Sequence, residues 1–426
     1  MTDLAAQHMR NLRRRLGSDD EPAYSDESSR WAHRLWCLSV VLVVVAGAVL
    51  GPGVAGAVFR ATTTNGPSTF TAAATFQNLA LYAWGINTDG QIGRGDILSP
   101  VTAPHKIDNS VWRNASAGFA HACAVRTDDT LWCWGNNLSG QIGRGNILSP
   151  QTIPAQVPGA WQTVSSGRHH TCAIKTDATL WCWGENASGA VGTGGTTDRT
   201  SPTLIAGTGW TTISGGTDHT CGTQSDGTLW CWGVNSSGAV GTGDTSSGHT
   251  TPTKQTGTDW RSVVAGWESS CGIKTDNTMW CWGGNTMAQL GRGGKSNAET
   301  TPALVSGAAN WRSVHAGYYF YCGVKNDNTL WCWGQNENGQ LGRGSTSNFE
   351  STIVQVAGGA VWSTVGGGNE HACAIRTDAT LWCWGENEFG QLATGNITDK
   401  TTPTQVTGTG WQFLGTGKGD ETFAIR

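Results

Sequence analysis

The chain has few charged residues and lacks the short motifs that carry much of enzymatic chemistry. Of its 426 residues, 14% are charged and the formal net charge is −4, so no basic surface for nucleic acid is indicated. It contains no glycine-rich phosphate loop, no G-x-S-x-G elbow and no zinc-binding helix motif. We therefore expect neither a nucleic-acid partner nor a cofactor.

Apolar runs are also short, and the longest, Leu38–Leu50, lies near the N-terminus. Thirteen helical residues span about 20 Å, less than the roughly 30 Å of a bilayer core. The stretch Ala55–Ala57 has the small-x-small form of a signal-peptidase site. Residues 35–59 are thus a signal peptide or a membrane anchor, with a buried core helix as a third possibility. Export would place the polar, basic tail of residues 1–34 inside and everything after about residue 60 outside.

After a Thr/Ala-rich linker at residues 60–78, internal repetition dominates the sequence. The dipeptide WG recurs every 49 to 51 residues, with its tryptophan at Trp84, Trp134, Trp183, Trp232, Trp282, Trp333 and Trp384. A second tryptophan series has the same period, at Trp112, Trp161, Trp210, Trp260, Trp311, Trp362 and Trp411. Each series has seven members, which indicates seven structural units.

One unit, residues 112–157, contains four short alternating segments separated by glycine-rich or polar turns. Four antiparallel strands per 50 residues are typical of a propeller blade, whereas a solenoid would need capping repeats. The array starts with the second half of a unit, "LALYAWGINTDGQIGRG", and ends with the first half of one, "GWQFLGTGKGDETFAIR". We therefore predict an all-β fold at residues 79–426: a seven-bladed β-propeller whose closing blade is shared between the N- and C-terminal segments.

Twelve of the 13 cysteines form pairs ten residues apart, and only Cys37 is left over. The absence of any CxxC disfavours zinc, and six copies of one catalytic thiol would be unusual. In the closing blade Phe423 and Ala83 replace both members of a pair together. Cross-strand neighbours are close enough for a disulfide, so six disulfides are predicted, with buried free thiols as the alternative. The predicted bonds join Cys123 with Cys133, Cys172 with Cys182, Cys221 with Cys231, Cys271 with Cys281, Cys322 with Cys332, and Cys373 with Cys383.

The repeat unit "HACAVRTDDTLWCWGNNLSGQIGRG" at residues 121–145 resembles the repeat of the regulator of chromosome condensation, the RCC1 family. That family's loop signature, W-G-x-N-x-x-G-Q-L-G-x-G, is matched by "WGQNENGQLGRG" at residues 333–344. The resemblance covers residues 79–426 and implies a seven-bladed propeller with a clasped closing blade. This agrees with the seven units counted above.

The family's founding activity is nucleotide exchange on a small nuclear GTPase, aided by a wedge inserted in one blade, together with nucleosome binding. The nearly constant repeat length here leaves no room for a wedge, and export would place the domain in another compartment, so exchange is not expected. The ultraviolet-B photoreceptor on this fold uses G-W-R-H-T stretches, for which "GWESS" at Gly266–Ser270 is a single, arginine-free counterpart. In setting, the chain is most similar to a secreted β-lactamase inhibitory protein, which binds through rim aromatics.

The turn between the first two strands of each unit differs from copy to copy, so the fold does not dictate its residues. Trp267 is the only tryptophan of the propeller region outside the repeated positions. Aromatic and arginine side chains are typical of binding hot spots, although scattered surface aromatics are also common. The predicted partner-binding residues are Phe119, Arg168, His169, Asp218, Trp267, Glu268, Tyr318, Tyr319, Asn369, Glu370 and Lys418.

Two further residue types recur without suggesting catalysis. The repeated histidines are expected to make turn hydrogen bonds rather than bind metal, and they are His121, His170, His219 and His371. The repeated aspartates are expected to stabilise hairpin turns, and they are Asp128, Asp177, Asp226, Asp276, Asp327 and Asp378.

Taken together, the sequence predicts a monomeric, exported binding module that is secreted or membrane-anchored. A rim of variable loop residues would contact a protein or glycan outside the cytoplasm, without metal, cofactor or enzymatic activity. One alternative is a polysaccharide hydrolase with carboxylates in the central channel. Another is a structural surface domain without a specific ligand.

Overall fold

The computed structural model describes residues 79–426, except residues 247, 306, 308 and 416. In this part of the chain 28 β-strands form seven four-stranded antiparallel sheets, so the predicted all-β, seven-bladed propeller is confirmed. It contains no helix long and apolar enough to span a bilayer. Three predicted segments lie outside the described residues, namely 1–34, 35–59 and 60–78.

The strands are numbered β1 to β28 in chain order. Blade 1 contains β1 (Leu81–Gly85), β2 (Val101–Lys106), β27 (Phe413–Leu414) and β28 (Glu421–Ile425). Blade 2 contains β3 (Trp112–Ala117), β4 (His121–Arg126), β5 (Leu131–Gly135) and β6 (Gln151–Val157). Blade 3 contains β7 (Trp161–Ser166), β8 (His170–Lys175), β9 (Leu180–Gly184) and β10 (Arg199–Ile205). Blade 4 contains β11 (Trp210–Gly215), β12 (His219–Gln224), β13 (Leu229–Gly233) and β14 (His249–Lys254).

The remaining three blades repeat the same order. Blade 5 contains β15 (Trp260–Ala265), β16 (Ser269–Lys274), β17 (Met279–Asn285) and β18 (Ser296–Leu304). Blade 6 contains β19 (Trp311–Ala316), β20 (Phe320–Lys325), β21 (Leu330–Asn336) and β22 (Ser347–Gln355). Blade 7 contains β23 (Trp362–Gly367), β24 (His371–Arg376), β25 (Thr380–Gly385) and β26 (Lys400–Thr409).

Blade 1 closes the ring by joining the two ends of the repeat array. Its strand order is β2-β1-β28-β27, so the junction between chain ends is the antiparallel pair β1 and β28. Ala83 lies opposite Phe423 in this pair, at the position where the other six blades place two cysteines. The predicted shared blade is confirmed, and pairing of β1 with β28 leaves neither chain end with an exposed inner sheet edge.

Buried tryptophans pack each blade and fasten it to its neighbour. Trp112 of the first strand contacts Trp134 of the third with ring centroids 6.3 Å apart. The indole nitrogen of Trp134 then donates to the carbonyl of Gln91 in the preceding blade at 2.7 Å. A Cβ on Gly93 of the same loop would lie 2.8 Å from this indole nitrogen, so the loop needs glycine there. Equivalent contacts repeat around the ring, which explains why both tryptophan series recur.

Disulfides join the second and third strands of six blades, as predicted. In each pair the two Cα atoms are 4.0–4.1 Å apart, and the two cysteines lie directly opposite each other in the sheet register. The alternative of buried free thiols is therefore wrong for these twelve residues. The bonds join Cys123 with Cys133, Cys172 with Cys182, Cys221 with Cys231, Cys271 with Cys281, Cys322 with Cys332, and Cys373 with Cys383.

The predicted hairpin role of the repeated aspartates is also confirmed. Asp128 accepts hydrogen bonds from the backbone nitrogen of Thr130 at 3.1 Å and from its hydroxyl at 2.6 Å. The other five make the same two bonds with the threonine two positions later, and they are Asp177, Asp226, Asp276, Asp327 and Asp378. Each aspartate thus fixes the turn that brings its two cysteines opposite each other.

The repeated histidines have a different role from the one predicted. His121 Nε2 lies 2.9 Å from the hydroxyl of Thr171 in the next blade, and His371 Nε2 lies 2.7 Å from Thr422 in blade 1. His170 and His219 make the same type of contact. These side-chain bonds cross between blades instead of staying within a turn. Burial lowers the pKa of each of the four to about 3, so they are neutral at physiological pH.

Candidate functional site

The variable turns gather around one end of the central channel, which we call the channel mouth. First strands of neighbouring blades contact one another, so they are the innermost strands and their terminal turns surround the axis. Backbone hydrogen bonds link successive turns, including Phe119 N to Arg168 O at 3.0 Å and Tyr318 N to Asn369 O at 2.8 Å. The predicted residues therefore lie closer together than residues on the outer strands of different blades would.

Three of the predicted aromatic residues form one cluster at the channel mouth. The rings of Trp267 and Tyr318 are 4.2 Å apart and nearly perpendicular at 66°. Tyr318 contacts Tyr319 in the same way, at 4.3 Å and 64°. All three side chains are only partly buried, which leaves part of the cluster accessible. Edge-to-face contacts of this kind restrain the rings, so the cluster offers a partner a preorganised surface.

Arg168 extends this cluster across the mouth to a fourth aromatic residue. Its guanidinium carbon lies 5.5 Å from the ring centre of Trp267 in blade 5 and 5.5 Å from that of Phe119 in blade 2. The intervening turn of blade 4 has the smaller, buried Thr217, which leaves space for the arginine. Phe119 also contacts His169 at 5.9 Å. The structure thus brings together six predicted residues from four blades.

The side chain of Lys418 crosses the central channel. Its ammonium nitrogen donates to the carbonyl of Ala265 at 2.6 Å and lies 3.5 Å from the carbonyl of Ala316. These carbonyls belong to blades 5 and 6, so the side chain of blade 1 crosses the ring. Burial lowers the pKa of Lys418 to about 8. Lys418 therefore joins the turns at the mouth and does not extend from the surface as a predicted partner-binding residue would.

Acidic side chains lie beside the aromatic cluster. Burial raises the pKa of Asp218 and Glu370 above their ordinary values, and Glu370 accepts a hydrogen bond from the side chain of Asn338. Burial together with the neighbouring carboxylates Asp420 and Glu370 raises the pKa of Glu386 to about 8. Asp420 itself has a pKa raised by burial to about 6. Part of this group therefore stays protonated near neutral pH and can donate as well as accept hydrogen bonds.

Asp420 and Glu386 were not predicted from the sequence. Blade 1 has one extra residue in its turn, so the series that ends in Lys418 and Gly419 is displaced there. The backbone identifies Asp420 as the true counterpart of Glu370, because Ile86 N donates to Asp420 O as Glu386 N donates to Glu370 O. Glu386 belongs to the WGxN loop, whose variable third position could have indicated it.

Polar contacts at the other side of the mouth involve His169, Asp218 and Arg168. Burial and the nearby Arg168 lower the pKa of His169, so it is neutral at physiological pH.

Among residues 79–426 as described, no three His, Cys, Asp or Glu side chains are arranged to hold a metal ion. The chemistry that the mouth does offer is aromatic contact, one half-buried guanidinium and a margin of carboxyls.

Family models of the regulator of chromosome condensation (RCC1) repeat match six stretches of the chain: residues 128–174, 177–222, 226–273, 276–324, 327–375 and 378–412. A second model of the same repeat matches residues 112–141, 161–190, 210–239, 260–289, 311–340 and 362–391. The first set covers more than half of the chain. The chain belongs to the RCC1 repeat family.

Curated RCC1 relatives resemble short parts of this propeller. A zebrafish (Danio rerio) RCC2 homolog is 36% identical over 77 residues, which is 18% of this chain and 16% of the relative. The Arabidopsis thaliana ultraviolet-B receptor UVR8 is 37% identical over 83 residues, or 19% of each chain. Each match thus spans less than a fifth of the relative's length.

Two solved structures match nearly the whole described domain. Prp20p from Saccharomyces cerevisiae superposes with a TM-score of 0.74 over 82% of this chain and 92% of its own, at 17% identity. Human WBSCR16 gives 0.73 over 82% and 98%, at 19% identity. At these identities the likeness establishes the propeller fold.

Proposed function

We propose that the propeller is an extracytoplasmic binding module that contacts a protein partner through the channel mouth. The observation that carries this proposal is the convergence of Phe119, Arg168, Trp267, Tyr318 and Tyr319, which the repeat does not require, into one cluster. Anchors of this type concentrate binding energy at the centres of protein interfaces. The surrounding carboxyls supply a polar margin, as interfaces usually have.

Two features support a location outside the cytoplasm. Six disulfides in one domain are characteristic of oxidising compartments, because cytosolic thiols are kept reduced. The apolar run Leu38–Leu50 preceding the propeller is the second feature. A membrane anchor or a cleaved signal would both put the channel mouth in contact with extracytoplasmic proteins.

Truncating the aromatic cluster is expected to abolish partner capture. The variant W267A/Y318A/Y319A lacks three rings at the centre of the proposed binding surface. Its affinity for the partner should therefore fall at least about tenfold. The immobilised full chain would be cross-linked to its partners in an extracytoplasmic extract, and mass spectrometry would identify them. Each partner would then be purified and titrated calorimetrically against the native protein and the variant.

The matched control is I153A/L204A/L304A, which removes three exposed apolar side chains from outer strands and should bind the partner normally. Unchanged affinity of the cluster variant, with its melting temperature unaltered, would refute the proposed site. If a soluble glycan binds the native protein but not the cluster variant, the ligand of the channel mouth is a carbohydrate and not a protein.

A further inference from the structure

A cation lies between two aromatic rings in six of the seven blades, at the end of the ring opposite the channel mouth. The cation comes from the last residue of the second strand or its C-terminal neighbour. In blade 3, Lys175 Nζ is 5.2 Å from the ring centre of Trp161 and 3.9 Å from that of Trp181. The other five cations, 3.7–5.1 Å from their rings, are Arg126, Lys274, Lys325, Arg376 and Arg426.

Blade 4 keeps both aromatic walls of this slot but has no cation of its own between them. Gln224 pairs with Trp210 in the register in which Lys175 pairs with Trp161. Trp230 Nε1 donates to Thr228 at 2.9 Å, as Trp181 Nε1 does to Thr179. The walls are therefore held in place by the blade itself. Within the described residues, neither Trp210 nor Trp230 has a lysine or arginine over its ring.

An open pocket marks the position of the missing charge. It measures about 650 Å³ and is lined by Trp210, Gln224, Asp226 and Trp230 among others. The pocket at the same place in blade 3, which Lys175 lines, measures about 450 Å³. Replacing lysine by glutamine thus coincides with a pocket about 200 Å³ larger, the difference between 650 and 450.

The charges around the blade 4 pocket also suit a cation. Hydrogen bonds from Thr228 lower the pKa of Asp226, so the lining includes an ionised carboxylate at neutral pH. Lys254 lies on the neighbouring outer strand, opposite Trp230. Blade 1 shows that a lysine there is compatible with an occupied slot, because Lys106 pairs with Tyr82 while Arg426 lies 4.5 Å from the Tyr82 ring.

We propose that the blade 4 pocket binds the alkylammonium or guanidinium group of a ligand between Trp210 and Trp230. The six other blades show which chemistry this aromatic pair accepts, since each holds one such group supplied by the chain itself. Aromatic faces attract cations through the ring quadrupole, most strongly where water is partly excluded. The pocket is a separate site from the channel mouth.

The proposal is tested by titrating the full chain, labelled at the tryptophan indoles with ¹⁵N, with N-acetyl-arginine amide. Saturable shifts of the Trp230 indole signal, assigned with Trp230→Phe, are expected. N-acetyl-citrulline amide has nearly the same shape without the charge, and should bind about tenfold more weakly. Equal affinity for the two compounds, or the absence of any saturable shift, would overturn the proposal.

Two reciprocal substitutions use the repeat as its own control. Gln224→Lys supplies the missing ammonium and should remove arginine binding, while Lys175→Gln should create a second site and raise the stoichiometry from one to two. The remaining indole signals report whether each variant is folded. Arginine binding that survives Gln224→Lys, or an unchanged stoichiometry in Lys175→Gln, would contradict the proposal. The channel-mouth variant W267A/Y318A/Y319A should titrate normally, which separates this test from that of the proposed function.

Discussion

Reducing all six disulfides is expected to unfold the propeller under conditions in which the oxidised protein is folded. Each bond joins residues ten positions apart, and a short closed loop contributes about 2–3 kcal/mol by restricting the unfolded chain. Six such contributions are on the order of 15 kcal/mol, which matches or exceeds the whole stability of a typical domain, about 5–15 kcal/mol.

The comparison must begin from protein reduced in denaturant, because all twelve bonded cysteines are fully buried and reductant cannot reach them in the fold. Refolding would be followed by circular dichroism and tryptophan fluorescence in guanidinium chloride, with intact mass reporting the thiol count. C123A/C133A, which removes one bond, should lose only about 2–3 kcal/mol and remain folded. A fully reduced protein with the denaturation midpoint of the oxidised one would show that packing alone specifies the ring.

Much of this architecture was predictable because the same sequence pattern occurs in seven units. The spacing of WG, the cysteine pairs and the turn aspartates each give a local geometry that neighbouring copies confirm. The closing blade followed from complementary chain ends and from the joint replacement of two cysteines by Phe423 and Ala83, which lie opposite each other in the structure. A single hairpin sequence would leave its strand register ambiguous, whereas several copies with the same spacing indicate one register.

The sites were harder to predict, because they depend on contacts between blades. Arg168 contacts rings of two blades, and nothing in its own repeat indicates which direction its side chain takes. The single-residue insertion before Glu421 displaced the turn alignment and concealed Asp420. Gln224 breaks a visible series of lysines and arginines, but only the three-dimensional structure shows that this series lies between tryptophan rings.

The second large effect is expected from Glu421, which occupies the histidine position of the closing blade. It pairs with Gly85 as His121 pairs with Gly135. Each histidine of this series reaches a threonine or serine of the next blade, but the equivalent residue after blade 1 is Ala122, which has no hydroxyl. Glu421 is 1% exposed, and neither carboxyl oxygen has a hydrogen-bond partner among the described residues. Burial and the neighbouring Asp420 raise its pKa well above 4.5.

A raised carboxyl pKa makes the fold less stable as pH rises, because the folded state retains a proton that the unfolded state releases above about pH 4.5. Glu386, with a pKa of about 8, acts in the same direction. The buried histidines act oppositely: their pKa values near 3 mean that stability falls as pH decreases below about 6.5. Stability should therefore be greatest near pH 6–7.

Glu421→Gln is expected to weaken the alkaline decline and to steepen the rise of stability between pH 5 and 6.5, because the carboxyl opposes folding at every pH above about 4.5. Between pH 6.5 and 8, removing one titrating carboxyl should reduce the slope of the unfolding free energy by about 1.4 kcal/mol per pH unit, for as long as the pH stays below the raised pKa. Guanidinium chloride denaturation at intervals from pH 5 to 8 measures this slope in both proteins, and the titration of Lys418 near pH 8 is common to them and cancels in the difference. Parallel profiles for the native protein and the variant would show that Glu421 is ionised in the fold, and hence that it has a partner after all.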